Sequence, residues 1–230
     1  VPPAAGHGAV AREPGRLAMT ARHHPDDALL LAYAAGGLDA AMSLILATHL
    51  AFCARCRRLV ARQEQIGGAL LEDIAPVAMD GGALARVMAR LDEPAAPETH
   101  QPSNDNTPAP LRAVLGRDLS QLRWRKMGPN LGYVTLYRQG PVAMRLLRGA
   151  PGTDTGRHGH HGMEYTLVLR GGYTDATGSY GPGDFQMASA EVRHNPVADP
   201  GEDCINLSVT TGRLNFDNAV QKIVARLFGF

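Results

Sequence analysis

The residue types best suited to chemistry stand close together in one stretch, His49-Leu50-Ala51-Phe52-Cys53-Ala54-Arg55-Cys56. It contains two of the three cysteines in the 230-residue chain. The stretch lies inside a long run that is typical of a helix, and on one continuous helix at ~100° per residue His49, Cys53 and Cys56 would share one face. One imidazole and two thiolates supply three ligands of a tetrahedral zinc site. The sequence therefore predicts a zinc site that takes its fourth ligand from elsewhere.

Two histidines at the start of the preceding helix could complete this site. His23 and His24 come directly before Pro25-Asp26-Asp27. That tripeptide is typical of a helix start, because proline suits the first turn and acidic groups face the positive end of the helix dipole. A helical hairpin would bring this start back beside the second helix. We expect His24 to be the ligand, because a side chain at the cap position projects away from its own helix; His23 is the alternative. The plainer interpretation is that His24 only caps the helix.

A second cluster of potential ligands lies in the C-terminal half, in the pattern Gly152-x5-His158-x-His160-x3-Glu164-x6-Gly171. Side chains alternate between the two faces of a strand. His158, His160 and Glu164 have the same parity, so all three would point into one barrel. His161 has the opposite parity and is expected to face outward.

The last ligand of this second site follows further along the chain. Gly181-Pro182-Gly183-Asp184 is typical of a tight turn, and His194 is expected on a later strand beyond it. Three histidines and one carboxylate form a site that accepts zinc, iron, manganese or nickel. We expect a divalent metal there, with zinc as the first choice. The plainer interpretation is a solvated strand rich in polar residues.

The N-terminal half must supply the helices that hold the first site. Helices are predicted from about Pro25 to Ala35 and from Leu38 to about Gln65. The glycine pairs Gly36-Gly37 and Gly67-Gly68 are expected to end them. On this interpretation the zinc site joins the start of the first helix to the middle of the second.

A further amphipathic segment closes this half. After a short piece around Leu70, residues 83–91 carry apolar side chains at positions i, i+3, i+4 and i+7, namely Leu84, Val87, Met88 and Leu91. Residues 19–92 are therefore predicted to form a small helical domain, of a size at which a bound metal adds needed stability. So small a domain has little core in which to bury the stripe of residues 83–91, so the stripe is also a candidate partner surface.

Two stretches are predicted to lie outside the folded domains. Residues 1–18 are rich in Gly, Ala and Pro and are interpreted as a disordered extension, with no role for His7. Residues 93–110 contain five prolines among polar residues, which predicts a flexible linker. His100 within it is expected to be solvated.

From Leu111 to the end of the chain, the pattern predicts an all-β domain with a final helix. Short β-rich runs are separated by Gly, Pro and Asp, as in a barrel or sandwich. These runs are 122–124, 133–137, 142–147, 164–169, 185–187 and 205–209. The piece 111–119 is either helical or a lead into the sheet. In the tail, Val220, Ile223, Val224 and Leu227 have helical spacing and predict a docked helix. Cys204 is expected to be a small buried hydrophobe.

Composition and charge exclude some classes of function. The 23 basic and 22 acidic residues give a net charge of +1, which offers no attraction for nucleic acid or for an anionic membrane. No apolar run approaches the ~20 residues that span a bilayer. Three cysteines, two of them in C-x-x-C, suit metal binding in a reducing compartment rather than a disulfide framework. The expected location is the cytoplasm.

The two motifs together resemble one protein family. The spacing of His158, His160 and Glu164 resembles the first cupin motif, and His194 with the turn before it resembles the second, less closely because Asn195 follows the histidine at once. A zinc-binding helical domain followed by such a cupin resembles the ChrR family of zinc-dependent anti-sigma factors. The resemblance covers nearly the whole chain from Met19 onward.

The resemblance implies a fold and a function. The fold is α + β with two domains: a zinc-binding helical bundle, then a cupin barrel at residues 111–230 with a C-terminal helix. The helical domain would sequester a sigma factor of the extracytoplasmic-function (ECF) type, and this binding would require zinc. The cupin would mediate release on an oxidative signal, singlet oxygen. No direct contact with nucleic acid or membrane is implied, and the oligomeric state is open.

A metal-dependent cupin enzyme with a helical appendage is the alternative. Three histidines and Glu164 could leave coordination positions open for a substrate or dioxygen, as in an oxygenase or isomerase. The fold alone does not imply catalysis, and nothing in the helical half indicates a substrate domain.

Overall fold

A computed structural model describes residues 21–91, 93 and 107–229. The extension predicted at 1–18 and most of the linker predicted at 93–110 lie outside this range. The N-terminal half contains α1 (Asp27–Ala34), α2 (Ala40–Phe52), α3 (Ala54–Glu72) and α4 (Ala83–Leu91). The C-terminal half begins with α5 (Ala109–Leu115) and a 3-10 turn (Leu119–Gln121), and it ends with α6 (Ala219–Phe228). The strands lie between them, so the predicted α + β fold class is confirmed.

Within the described residues, the strands form three antiparallel sheets that curl into a barrel. They are β1 (Arg125–Lys126), β2 (Leu131–Gln139), β3 (Val142–Gly149), β4 (His158–His160), β5 (Glu164–Arg170), β6 (Tyr173–Asp175), β7 (Gly178–Tyr180), β8 (Phe185–Ala188), β9 (Val197–Ala198), β10 (Cys204–Thr210) and β11 (Leu214–Phe216). The largest sheet has the order β1-β2-β3-β10-β5-β8, and the smaller ones are β11-β4 and β7-β6-β9. The run 122–124 was predicted as a strand, which is wrong: pairing begins only at Arg125.

Aspartates start the first two helices. The Asp26 carboxylate accepts a hydrogen bond from the Leu29 amide at 2.8 Å, and Asp39 does the same for Met42 at 2.8 Å. Each satisfies an amide that the first helical turn leaves without a partner. Pro25 therefore stands before the cap, and α1 begins two residues later than the sequence predicts.

The long second helix is broken at Cys53, and the prediction of one continuous helix is wrong. Cys53 has φ −106° and ψ 103°, an extended conformation, so it ends α2 and caps α3. Its Sγ accepts the Cys56 amide at 3.4 Å, which replaces the helical hydrogen bond lost at the break. His49, Cys53 and Cys56 therefore do not lie on one helical face; they surround a corner between two helices.

The predicted end of that helix at Gly67-Gly68 is also wrong. α3 runs through both glycines to Glu72. Two interior glycines cost about 2 kcal/mol relative to alanine, but they do not forbid helical dihedral angles. The short third piece expected around Leu70 is therefore the last turns of α3.

The N-terminal helices and the barrel share one buried core. The largest cluster of buried hydrophobic residues joins Ala41, Met42, Ile45 and Leu46 of α2 to Leu111 of α5, Leu167 of β5 and Leu207 of β10, among others. A smaller cluster under α1 and α3 contains Leu30, Val60 and the two cysteines. α2 thus packs against both halves of the protein. The sequence predicts two domains joined by a flexible linker and does not predict this shared core.

The final helix docks only in part. Asn218 caps α6, Ala225 is buried, and the Phe228 ring contacts the Tyr133 ring at 5.8 Å between centroids. Three residues of the predicted docking stripe, Val220, Ile223 and Leu227, are nevertheless exposed. The helix is confirmed, but most of its apolar stripe does not face the barrel.

Candidate metal centres

Four potential ligands converge at the corner between α2 and α3. The ligand atoms of His24, His49, Cys53 and Cys56 all lie within 4.8 Å of one another. His49 Nε2 is 3.3 Å from Cys56 Sγ, and His24 Nδ1 is 3.4 Å from Cys53 Sγ and 3.5 Å from Cys56 Sγ. A tetrahedral zinc ion with ordinary Zn–N and Zn–S bonds separates its nitrogen and sulfur ligands by ~3.5 Å. The spacing therefore fits one tetrahedral metal.

Of the two histidines considered for the fourth position, the structure brings His24 into the cluster. The His23 ring packs on Tyr180 at 4.5 Å between centroids, and its Nδ1 is 3.5 Å from an oxygen of Asp184. His24 lies beside the cysteines because the chain before α1 runs back across the corner at Cys53.

The tautomer of His49 suits ligation. Its Nδ1 donates a hydrogen bond to the Gly183 carbonyl at 2.9 Å, so Nε2 presents its lone pair toward Cys56. Metal-binding histidines are usually oriented by such a partner on the second ring nitrogen.

Burial favours the uncharged forms of the groups in this cluster. Desolvation lowers the pKa of His49 to about 4, against a smaller opposing effect of the Gly183 hydrogen bond, so its imidazole is neutral at pH 7. Desolvation and then Arg55 also lower the pKa of His24. Burial and then the neighbouring Cys53 raise the pKa of Cys56. The Cys56 thiol therefore becomes a thiolate only with a compensating cation, so a metal would bind here with release of a proton.

The second cluster lies inside the barrel. The Glu164 carboxylate oxygen Oε2 is 2.9 Å from His160 Nε2, 3.5 Å from His194 Nε2 and 3.9 Å from His158 Nε2. All four side chains are buried. His158 and His160 lie on β4 and Glu164 on β5, after a turn, so they share a face although they do not share a strand. His194 was expected on a strand and is instead held by an isolated antiparallel bridge to His158.

Hydrogen bonds from the second ring nitrogens orient two of these histidines. His158 Nδ1 donates to the Gly156 carbonyl at 2.8 Å, and His194 Nδ1 is 2.8 Å from Asp175 Oδ2. The Ser208 hydroxyl donates to the other oxygen of Glu164 at 3.0 Å. With Nδ1 occupied, Nε2 of each of these two rings is the atom directed into the cluster, where it would bind a metal once any proton on it has left.

The charges in the barrel are strongly coupled. Burial opposes ionisation of Glu164, but hydrogen bonds from His158, His160 and His194 outweigh it and hold its pKa well below the ordinary range. Burial also opposes protonation of His194, while Asp175 and Glu164 raise its pKa to about 9. In the absence of a metal, His194 is therefore protonated at pH 7 and its positive charge lies beside the Glu164 carboxylate.

Comparison with known proteins identifies the family. The model of the ChrR cupin-like domain matches residues 113–215. The anti-sigma-E factor ChrR of Cereibacter sphaeroides is 43% identical over 211 residues, which cover 91% of this chain and 99% of that protein. The chain belongs to the ChrR family of anti-sigma factors. The crystal structure of Rhodobacter sphaeroides SigE in complex with the anti-sigma factor ChrR matches 83% of this chain and 99% of that chain, at 44% identity and a TM-score of 0.72.

Membership of the ChrR family decides between the two functions considered from the sequence. The chain is a regulatory protein, not a cupin oxygenase or isomerase. The cavity beside the second cluster has a volume of about 90 Å³, room for about three water molecules. Among the described residues, no helix is long and apolar enough to cross a bilayer.

Other predictions about single residues have clear outcomes. His161 is exposed and lies outside both clusters, as expected. Cys204 is buried in the barrel wall, also as expected, and burial raises the pKa of its thiol to about 12.

The groups that orient the ligands were not predicted from the sequence. Asp175 and Ser208 carry no motif, because they meet the cluster only through the fold. The turn at 181–184 was predicted as a tight turn that resembles part of the second cupin motif, with no contact to the first cluster, whereas its Gly183 carbonyl contacts His49.

Proposed function

We propose that this chain sequesters an ECF-type sigma factor through an exposed apolar segment, residues 66–91, which we call the apolar arm. It comprises the last turns of α3, the connection that follows, and α4. Ten large hydrophobic side chains of the arm are between 53% and 87% exposed: Ile66, Leu70, Leu71, Ile74, Val77, Met79, Leu84, Val87, Met88 and Leu91. An apolar surface of this extent on a soluble domain is typical of a protein-binding site. This exposure is the observation that carries the proposal.

The shape of the arm suits a helical partner. No residue of α4 is buried, and Leu84, Val87, Met88 and Leu91 share one of its faces. Such a face binds by lying in a groove of the partner. The 44% identical relative was crystallised in complex with SigE, which supports a sigma factor as the occupant. Binding there would compete with the association of the sigma factor with core RNA polymerase.

We propose that His24, His49, Cys53 and Cys56 bind zinc in a structural role. Four protein ligands close the site, and a closed four-ligand set is typical of structural rather than catalytic zinc. The site would hold the chain before α1 against the corner at Cys53, from which α3 leads to the apolar arm. Two buried thiols also require a reducing environment, so we place the protein in the cytoplasm.

We propose that a second divalent ion, zinc as the first choice, is bound by His158, His160, Glu164 and His194. We also propose that the cupin at residues 111–230 mediates release of the sigma factor on an oxidative signal, singlet oxygen. The helical domain at 19–92 and the cupin would be joined by the linker at 93–110. The convergence of four potential ligand atoms and the orientation of the His158 and His194 rings support metal binding. The resemblance to the ChrR family supports singlet oxygen as the signal. Direct contact with DNA or membrane is not part of this function.

Co-purification with an ECF-type sigma factor from the same genome tests the arm. Leu84→Asp with Val87→Asp is expected to weaken the complex at least 100-fold, because two charges would enter an apolar interface. Val220→Asp with Leu227→Asp on α6 is the matched control, since Leu227 is 78% exposed and Leu84 is 72% exposed. Equal loss in both double variants, or loss in neither, would show that the arm is not the binding surface.

Metal analysis of the purified chain tests the two sites. We expect two metal ions per chain, with one lost in Cys53→Ser/Cys56→Ser and the other lost in His158→Ala/His160→Ala. The cysteine variant should also lose the sigma factor. A single metal that survives the cysteine substitutions would refute the zinc assignment.

Exposure of the purified complex to a photosensitiser and light tests the signal. The wild-type complex should release the sigma factor, and a complex with His158→Ala should retain it. The same rate of release from both complexes would show that the second cluster is not the receiver.

A further inference from the structure

One turn of the cupin contacts the chain beside both histidines of the first cluster. This segment, Gly181–Phe185, which we call the cupin turn, joins β7 to β8. Its Gly183 carbonyl accepts the hydrogen bond from His49 Nδ1 at 2.9 Å. His49 is completely buried, so this carbonyl is the partner that fixes its ring orientation.

The same turn holds the segment that leads to His24. Asp184 Oδ1 accepts the amides of Arg22 at 2.5 Å and of His23 at 3.0 Å. In the other direction, the Phe185 amide donates to the His23 carbonyl at 3.1 Å. Three hydrogen bonds thus fix the backbone of the two residues before His24.

Asp184 also holds the turn itself in shape. Its second oxygen, Oδ2, accepts the Gly181 amide at 2.9 Å, and the residue is only 2% exposed. Hydrogen bonds from these amides keep the pKa of Asp184 low although burial opposes its ionisation. One buried carboxylate therefore joins the cupin turn to the chain before α1.

The backbone of the turn approaches α2 as closely as a glycine allows. Gly183 has φ +88°, a conformation that favours glycine, and an added Cβ would lie 3.0 Å from Cβ of Phe52. Phe52 is the last residue of α2 and precedes Cys53 directly. Any side chain at position 183 would push the turn away from the corner that carries the ligands.

The cysteines differ from the histidines in this respect. Cys53 and Cys56 take their positions from the junction of α2 and α3, and the hydrogen bond between them lies within that junction. The helices therefore supply and place the thiols, whereas the cupin orients the His49 imidazole and holds the backbone that leads to His24.

From this division we propose that the cupin turn is part of the zinc centre of the helical domain, with Gly183 and Asp184 as positioning residues for His49 and His24. The proposal rests on the zinc site proposed above. Displacing the turn would loosen two of the four ligands and leave the two thiols in place. The zinc affinity of the helical site would thereby depend on the state of the cupin.

The turn also lies next to the second cluster. Gln186 follows Phe185, and its side-chain amide donates to Asp175 Oδ2 at 2.9 Å. The same oxygen of Asp175 is 2.8 Å from His194 Nδ1. A rearrangement at His194 therefore has a direct route of hydrogen bonds to the start of β8, and from there to the cupin turn.

Zinc affinity and thiol protection in the full zinc-loaded chain test the proposal. Competition with a chelator gives the affinity of the helical site. The rates at which Cys53 and Cys56 are alkylated, mapped by mass spectrometry, report whether the metal protects them, and the buried Cys204 is the internal reference. Loss of an orienting partner typically weakens a metal site 10–100-fold. We expect that loss in Asp184→Ala and in Gly183→Ala, with a smaller loss in Asp184→Asn, which retains one acceptor oxygen.

Asp203→Asn is the matched control, because Asp203 pairs with Arg148 on the surface of the same domain. Thermal unfolding and the metal content of the second cluster identify variants that fail to fold. Gly183→Ala leaves the carboxylate intact and decides the matter where Asp184→Ala does not fold.

Wild-type zinc affinity in folded Asp184→Ala or Gly183→Ala would overturn the proposal, since a turn that only docks the domains would lower stability without changing that affinity. If the wild-type chain held no zinc at Cys53 and Cys56, the proposed function itself would fail, which is a different result.

Discussion

Replacing Leu46 by alanine tests whether the helices and the barrel unfold as one unit. Leu46 lies on α2, is 0% exposed, and belongs to the buried cluster that contains Leu207 of β10. The change removes three carbon atoms, which at ~0.8 kcal/mol each gives about 2.4 kcal/mol of lost transfer free energy. The cavity left behind adds to this, so the free energy of unfolding should fall by about 3 kcal/mol.

Thermal unfolding of the metal-loaded chain measures the effect. A loss of about 3 kcal/mol lowers the midpoint by roughly 6–12 °C in a protein of this size. Circular dichroism of the helices and the fluorescence of Trp124, which packs against the same cluster, should shift together. Leu31→Ala is the control, since Leu31 is half exposed and should change the midpoint little.

Two separate transitions, with the Trp124 signal at its wild-type temperature, would refute the reasoning. The helical half would then be anchored to the barrel by surface contacts alone. A shift of both signals by less than about 2 °C would show that the cluster around Leu46 contributes less than its burial indicates.

Three further predictions follow from the contacts of the two clusters. Asp175→Asn should weaken metal binding in the barrel about 10–100-fold by chelator competition, because His194 loses a charged acceptor; an unchanged affinity would contradict the role of Asp175. In the metal-free chain, the unfolded state protonates His49 near pH 6.5 and the folded state only near pH 4, so acidification between these values should lower the free energy of unfolding. Denaturant midpoints at pH 7, 6 and 5 check this, and His49→Asn should have a shallower dependence; an equal slope would be evidence against it. After exposure to singlet oxygen, Cys53 should be alkylated several-fold faster in the wild-type chain than in His158→Ala, because the second cluster is the proposed receiver of the signal; equal rates would show that the two clusters are not coupled.

The sequence predicts which side chains cluster because their residue types are rare and informative. A histidine beside C-x-x-C, or two histidines with a glutamate at strand spacing, is typical of a metal site and uncommon elsewhere. The structure brings the eight predicted residues together in two clusters of four, with His24 in place of its alternative. Their role as ligands stays a prediction for the metal measurement described above.

The path of the chain through the first cluster could not be predicted from spacing alone. No Gly or Pro marks the break at Cys53, and the sequence on both sides favours a helix. The break exists because the Cys53 sulfur can cap the helix that follows, a role rarely assigned to cysteine. Spacing identified residues that do converge, although the helical face on which it relied does not exist.

The amino-acid composition of α2 is consistent with its place in the shared core. This helix reads AAMSLILATHLAF, with no Asp, Glu, Lys or Arg on any face. A helix that is apolar all round is typically buried on several sides. This composition favours an α2 enclosed between other elements. By contrast, the contact of Asp184 with Arg22 joins residues 162 positions apart, and no local sequence pattern predicts it.

The break at Cys53 also gives the molecule a mechanical property. α3 starts directly after this residue, and its 19 residues carry the apolar arm away from the cluster. At 1.5 Å per residue the helix is ~28 Å long, so a rotation of ~10° at Cys53 moves its far end by about 5 Å. Apolar contacts are lost beyond about 4.5 Å. A small change of angle at the corner is therefore amplified at the distant end of a rigid rod into a displacement large enough to separate two surfaces.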